Sequence, residues 1–178
     1  MTLDPDKQIL AVLPAPSAPS MDGMGTYLSN WIFEIPENQR GYSWTKDQWQ
    51  DLWHDIMDIS PNKKHYIATS IVIGTPFQMN SATPPPVRGV LSLIDGQQRM
   101  TTILLLLKAL LQHVELVDSR NHLVTRINSL LMYQGAFTGR QRSILVNKNP
   151  DFHECFESIV LTGTFAAPQS RAQNNMLE

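Results

Sequence analysis

The stretch Leu93-Ile94-Asp95-Gly96-Gln97-Gln98-Arg99-Met100-Thr101-Thr102 decides how the chain is read. Upstream of it, Val87 to Ile94 is rich in apolar residues and predicts a strand. Downstream, Ile103, Leu104, Leu107, Leu110 and Leu111 recur at helical spacing. They predict a helix that opens at Gln97 or Gln98 and runs to about Val117. Between the two lies a polar seam, with core on both sides to hold its side chains rigidly. Glycine lets the backbone approach a ligand closely. The free N–H groups at a helix N-terminus favour a phosphate. Arg99, in the first turn, can add a forked contact to that phosphate. Thr101 and Thr102 supply hydroxyls, and Asp95 supplies a carboxylate for a metal, a water or a ribose hydroxyl. The same residues also describe a plain turn, with Asp95 capping the helix and Arg99 paired to an acid. The pattern is neither G-x-x-x-x-G-K-[ST] nor G-x-G-x-x-G, so on pattern alone both readings stand.

A second polar loop, Pro36 to Trp44 (PENQRGYSW), sets Gln39, Arg40, Tyr42 and Trp44 just ahead of a capped helix. Arginine with aromatic neighbours can hold a base by stacking and a phosphate by hydrogen bonds. The plain reading has Tyr42 and Trp44 plugging onto the core. Each loop carries Gln-Arg between a strand and a helix, so one pocket lined by both makes a sensible anion or nucleotide site.

Outward from these loops, residues 1–25 contain LPAPSAPSMDGMG and read as a flexible lead-in. Thr26 to Trp31 predicts a helical turn, and Ile32 to Ile35 a short strand ended by Pro36. Thr45 and Gln48 fit a capping box. The following helix carries a stripe of Trp49, Leu52, Trp53, Ile56 and Met57, stopped at Pro61-Asn62. His65 to Gly74 predicts a buried strand. Residues 76–86, with Pro84-Pro85-Pro86, predict an exposed excursion. A second helix, Asn121 to Tyr133, should form a helical hairpin with its predecessor. Gly135 to Arg142 reads as a loop, Ser143 to Val146 as a strand, and Pro150 as the start of a helix to Leu161. From Thr162 the tail should fray. The predicted class is α+β, a small mixed sheet flanked by helices. Residues 26–162 form its folded domain, and 163–178 a frayed tail.

The 178 residues are 42% apolar and 17% charged, a globular composition. A net charge of −2 excludes a global basic field, so DNA would be met through a local patch or a partner domain. It suits a monomer and a homo-oligomer alike. Cys155 is alone, which excludes a disulfide framework and fits a reducing compartment. The longest apolar run, Ile103 to Leu107, falls short of the roughly 18 residues of a membrane span, and no secretory signal opens the chain. A cytoplasmic protein is expected. None of His54, His65, His113, His122 and His153 sits at metal-ligand spacing. Lys63-Lys64-His65 and Arg140-Gln141-Arg142 are small basic clusters that read as solvated loop charge.

Taken together, IPENQRGYSW, HYIATSIVIG, LIDGQQRMTTILLLLKAL and SILVNKNPDFHECFESIV resemble one family over about Thr26 to Leu161. It is the N-terminal domain of GmrSD-type modification-dependent restriction proteins, whose relatives include SspE-type effectors that sense phosphorothioated DNA. The resemblance implies a ParB/sulfiredoxin-like fold and an NTPase, GTP favoured, with Mg2+. Asp95, Gln97, Gln98 and Arg99 would be its catalytic residues, with Asp95 also on the metal side. Gln39, Arg40, Tyr42, Gly96, Thr101, Thr102 and Asn147 would bind the nucleotide, and Tyr42 would stack on it or close the pocket. Pro36, Arg40 and Gly41 would meet modified DNA. The partner implied is a nuclease domain; nothing in this chain resembles a nuclease centre. The other class that fits is a module that recognises modified DNA without hydrolysis.

Overall fold

The computed structural model describes residues 23–59, 70–74, 88–135, 139–164 and 170–177. In chain order these form α1 (Met24–Asn30), β1 (Trp31–Ile35), α2 (Lys46–Met57), β2 (Ile71–Ile73), β3 (Gly89–Asp95) and α3 (Gln97–Asp118). There follow α4 (His122–Leu131), β4 (Met132–Gln134), β5 (Gln141–Ser143), β6 (Leu145–Asn147), α5 (Pro150–Thr162) and α6 (Arg171–Leu177). Strands β2, β3, β1 and β6 lie side by side in that order. β1 runs parallel to both β3 and β6, with Phe33 opposite Leu91 on one side and Leu145 on the other, while β2 is antiparallel to β3. The predicted α+β class with a small mixed sheet is therefore what the chain adopts.

Alternation along β3 buries Leu91 and Leu93 and leaves Val90 exposed, as a strand with one covered face requires. Phe33, Ile35 and Leu145 continue that core, and Leu104, Leu111, Leu131, Phe156 and Val160 fill it from the helices. α3 packs against α4 and α5, and α1 against α4. The helix boundaries follow local chemistry. Gln48 Oε1 accepts from Thr45 N at 2.8 Å ahead of α2. Asn149 Oδ1 accepts from Phe152 N, and Pro150 occupies the first turn of α5. Gly163, at φ 83°, ends that helix in the left-handed conformation.

Several expectations change. The stripe on α2 is half used: Leu52 is buried, but Trp53 is 47% and Met57 62% exposed. Of the strand expected over His65 to Gly74, Ile71–Ile73 is formed, and residues 65–69, like all of residues 76–86, lie outside the described residues. The helix expected to reach Tyr133 stops at Leu131, because Met132–Gln134 pairs with Gln141–Ser143 as a hairpin. The strand expected over Ser143 to Val146 is divided about Ile144, whose N–H donates to Leu131 O and whose carbonyl accepts from Phe33 N. The tail expected to fray carries α6, where Met176 is buried and Gln173 Nε2 donates to Asp151 O at 3.0 Å. Counting uninterrupted apolar residues also undersold α3. Its 22 residues contain an 18-residue window of mean hydropathy 1.5, long and apolar enough to cross a membrane by length and composition. Its first turns nonetheless bury Gln97, Gln98, Thr101 and Thr102 inside the domain, where their hydrogen bonds are met by protein.

Candidate functional site

Because β1, β3 and β6 are parallel, their carboxyl ends share one edge, and the loops leaving at Pro36, Gly96 and Lys148 rise from it. Ligands in sheets of this kind bind outside the carboxyl ends of the strands. A cavity of about 270 Å³ lies there, lined by Gln39, Arg40, Trp44, Ile94 and the run Asp95 to Arg99. The two polar loops singled out in the sequence therefore meet.

Gly96 makes the seam possible. At φ 91° it turns the chain from β3 directly into α3, and Met100 N donates to its carbonyl to begin the helix. Asp95 Oδ1 accepts from Gly96 N at 2.8 Å, which fixes the carboxylate at the mouth of the turn.

The two glutamines then divide the work. Gln98, 7% exposed, uses its amide as an extra piece of backbone: Oε1 accepts from Ser43 N at 2.7 Å and Nε2 donates to Gly41 O at 3.0 Å. That pair fastens the Gln39–Trp44 loop to the helix start. Gln97 Nε2 donates to Gln39 Oε1 at 2.9 Å, so its amide lies across the cavity wall. One turn on, Tyr42 and Thr102 share a 2.7 Å hydrogen bond, and Thr102 Oγ1 donates to Gln98 O. Burial pushes the Tyr42 hydroxyl up from its ordinary pKa, with the Thr102 hydrogen bond acting the other way.

Charge in the cavity is unbalanced. Arg99 places its guanidinium carbon 5.7 Å from the Trp44 ring centroid, a cation–π contact. Its Nε is buried and without a partner among the described residues. Arg40 is exposed, and neither arginine makes an ion pair among the described residues. By contrast, Arg142 pairs with Glu157 at 3.3 Å and Lys148 with Glu34 at 3.0 Å. Asp95 is the sole carboxylate in the lining. Two guanidinium groups against one carboxylate, at a helix N-terminus, are chemically suited to an anion. For Mg2+ the described residues offer no cluster of three or more carboxylate, thiol or imidazole groups. A lone carboxylate still fits an ion that completes its shell with phosphate oxygens and water.

The cavity thus gathers Gln39, Arg40, Asp95, Gly96, Gln97, Gln98 and Arg99. It does not gather Tyr42, 4% exposed and within the core, which has no face left for stacking on a base. Thr101 and Thr102 are buried too, bonded to carbonyls of their own helix. Asn147 is buried at the end of β6, where its Oδ1 accepts from Asn149 N at 2.9 Å and shapes the turn into α5. Pro36 and Gly41 flank the cavity on the loop without lining it. Trp44 and Ser43 were missing from the expected site. The arginine and aromatics of the second loop already pointed to Trp44 as a stacking or core residue without placing it in the site; nothing local marks Ser43.

These features define an α+β domain with an arginine-lined cavity at the carboxyl edge of its parallel strands. The family described as GmrSD restriction endonuclease, N-terminal domain, matches residues 24–178, and the chain belongs to that family. No curated protein matches the chain significantly.

Proposed function

We propose that the cavity binds and hydrolyses a nucleoside triphosphate, and that the nucleotide state governs a nuclease domain outside this chain. The whole would be a cytoplasmic antiphage restriction effector directed at modified DNA. The observation that carries this reading is the convergence of Arg40 and Arg99, both without an ion-pair partner among the described residues, on one helix N-terminus beside Asp95. At about 270 Å³ the cavity sits at the lower bound of small-molecule sites, roughly 300–1,000 Å³, so it suits the phosphate end of the nucleotide. Sugar and base would extend past the Gln39–Trp44 loop. The preference for GTP rests on family resemblance.

Each side chain then has a task. Arg99, held against Trp44, neutralises a phosphate with its fork, and Arg40 reaches the same group from the loop. Asp95 would hold Mg2+ together with phosphate oxygens, and the ion would supply charge neutralisation. Gln97 retains an amide proton beyond the one given to Gln39 and orients the attacking water. Gln98 is a positioning residue, since its amide is engaged with the loop.

The test is phosphate release from GTP, ATP, CTP and UTP, with the nuclease half supplied. Asp95→Ala and Arg99→Ala should each lower turnover by roughly 10²-fold or more while melting as the wild type does. Absence of turnover in the wild type under those conditions sinks the hydrolase reading. A second reading is supported by the same loop, where Pro36 is half-buried while Arg40 and Gly41 are exposed. That surface suits a poorly hydrated phosphorothioate. Equal binding of modified and plain duplexes of one sequence would remove it.

A further inference from the structure

Along α3 from the seam, the helix contributes to a second and larger cavity. Ten residues beyond Gln98, or about 15 Å along the axis, Lys108 enters a space of about 540 Å³. Gln112 and Glu115 of α3, Asn128 of α4 and Thr162 at the end of α5 line it too. Its volume lies within the roughly 300–1,000 Å³ usual for small-molecule sites.

Lys108 is 7% exposed, yet it makes no hydrogen bond or ion pair among the described residues. Glu115 acts on it through space only, and burial lowers its pKa. The stem of Lys108 is buried while its ammonium reaches the cavity without an acidic partner among the described residues, so an anion there would meet an uncommitted cation. An apolar side chain would serve packing better, and the neighbours of Lys108 along the helix, Leu104 and Leu111, are apolar and buried. The end of α5 is also shaped around Gln112, which lies beside this lysine. A Cβ at Gly163 would run into the Gln112 amide and come within 3.7 Å of Lys108 Cε. The left-handed glycine that closes the helix therefore leaves room for the two side chains that face the cavity.

We propose that this cavity is a binding site for a small organic anion of about nucleoside monophosphate size. Lys108 is its counter-ion, and Gln112, Asn128 and Thr162 supply hydrogen bonds. Glu115 accepts from hydroxyl or amino groups of the ligand, which disfavours a bare polyanion. A duplex backbone is a poor occupant, because phosphates along DNA are met by exposed cations and Lys108 is buried.

The experiment is an amide chemical-shift titration of the domain with AMP, citrate and inorganic phosphate, each to millimolar concentration. Wild type, Lys108→Met, Asn128→Ala and Arg99→Ala are compared. The expected result is saturable shifts at Gln112, Asn128 and Thr162 with AMP, stronger than with citrate or phosphate and unchanged in Arg99→Ala. Those shifts weaken by about tenfold or more in Lys108→Met. Asn128→Ala, which leaves the lysine in place, weakens them as well and serves as the deciding variant if Lys108→Met does not fold. No saturable shift at this cluster with any of the three probes overturns the proposal. So does a folded Lys108→Met that binds as the wild type does.

Discussion

Replacing Gln98 by methionine keeps the length of the side chain and removes its hydrogen bonds. Two good ones are lost, from Ser43 N at 2.7 Å and to Gly41 O at 3.0 Å, spanning 55 and 57 residues of chain. Each is worth about 1 kcal/mol net, and a buried group left without a partner adds about 1–3 kcal/mol more. Both bonds are only part-buried, so water recovers some of that loss. The sum is about 2–3 kcal/mol, or a fall in Tm of roughly 5–10 °C for a domain of this size. Gln98→Glu separates the two bonds. It keeps an acceptor for Ser43 N but sets a carboxylate against the Gly41 carbonyl. It should be as damaging as methionine at neutral pH and recover in acid, where the protonated carboxyl donates again. Circular-dichroism melts and hydrogen exchange at the Ser43 amide report the two effects. If Gln98→Met melts within about 1 °C of the wild type and the Ser43 amide stays as protected, the amide does not fasten the loop and the division of labour between the glutamines is wrong.

Gly96→Ala forces a residue with a Cβ to φ 91° and should cost roughly 1–2 kcal/mol, read as a lower urea midpoint with unchanged m-value. His153 gives a pH test. Burial lowers its pKa below the ordinary 6.5, with Glu157 opposing and Arg142 and Lys148 reinforcing the shift. The unfolded chain therefore takes up a proton near 6.5 while the folded one resists, so this contribution to stability is whole above 6.5 and is lost as pH falls from there through the lower folded value. His153→Gln should flatten that acid-side loss in a series of thermal melts, and an unchanged slope would assign the loss to other groups.

Local signals carried much of this architecture. The leucine period of α3, the capping residues Thr45 and Gln48, and Asn149-Pro150 before α5 act within a turn or two, so they can be read without a partner. The hairpin β4–β5 was hidden because Met132-Tyr133-Gln134 continues a helical pattern until Gln141–Ser143 pairs with it across the fold. α6 was hidden because its hold is a tertiary one, through Met176 in the core and Gln173 on Asp151 O. Within the site, Asp95 and Arg99 were legible as chemistry. That Gln97 lies across the cavity while Gln98 holds a loop was not. Adjacent helix positions point about 100° apart, and only the path of Gln39–Trp44 decides which amide meets which neighbour. Lys108 looked like an interruption of an apolar run, and its isolation became visible once α4 and α5 closed around it.

α3 carries the first cavity at its N-terminal end and the second along its later turns. At 22 residues it is a rod of about 33 Å. If such a rod pivots by about 5° at the Gly96 seam, its far end swings by about 3 Å, more than the tolerance of any hydrogen bond. The outer stretch that would sweep this arc ends in Leu116 and Val117, 86% and 76% exposed. Such a pivot would gear a small change in how Arg99 and the Gln98-fastened loop sit into displacement at an apolar tip.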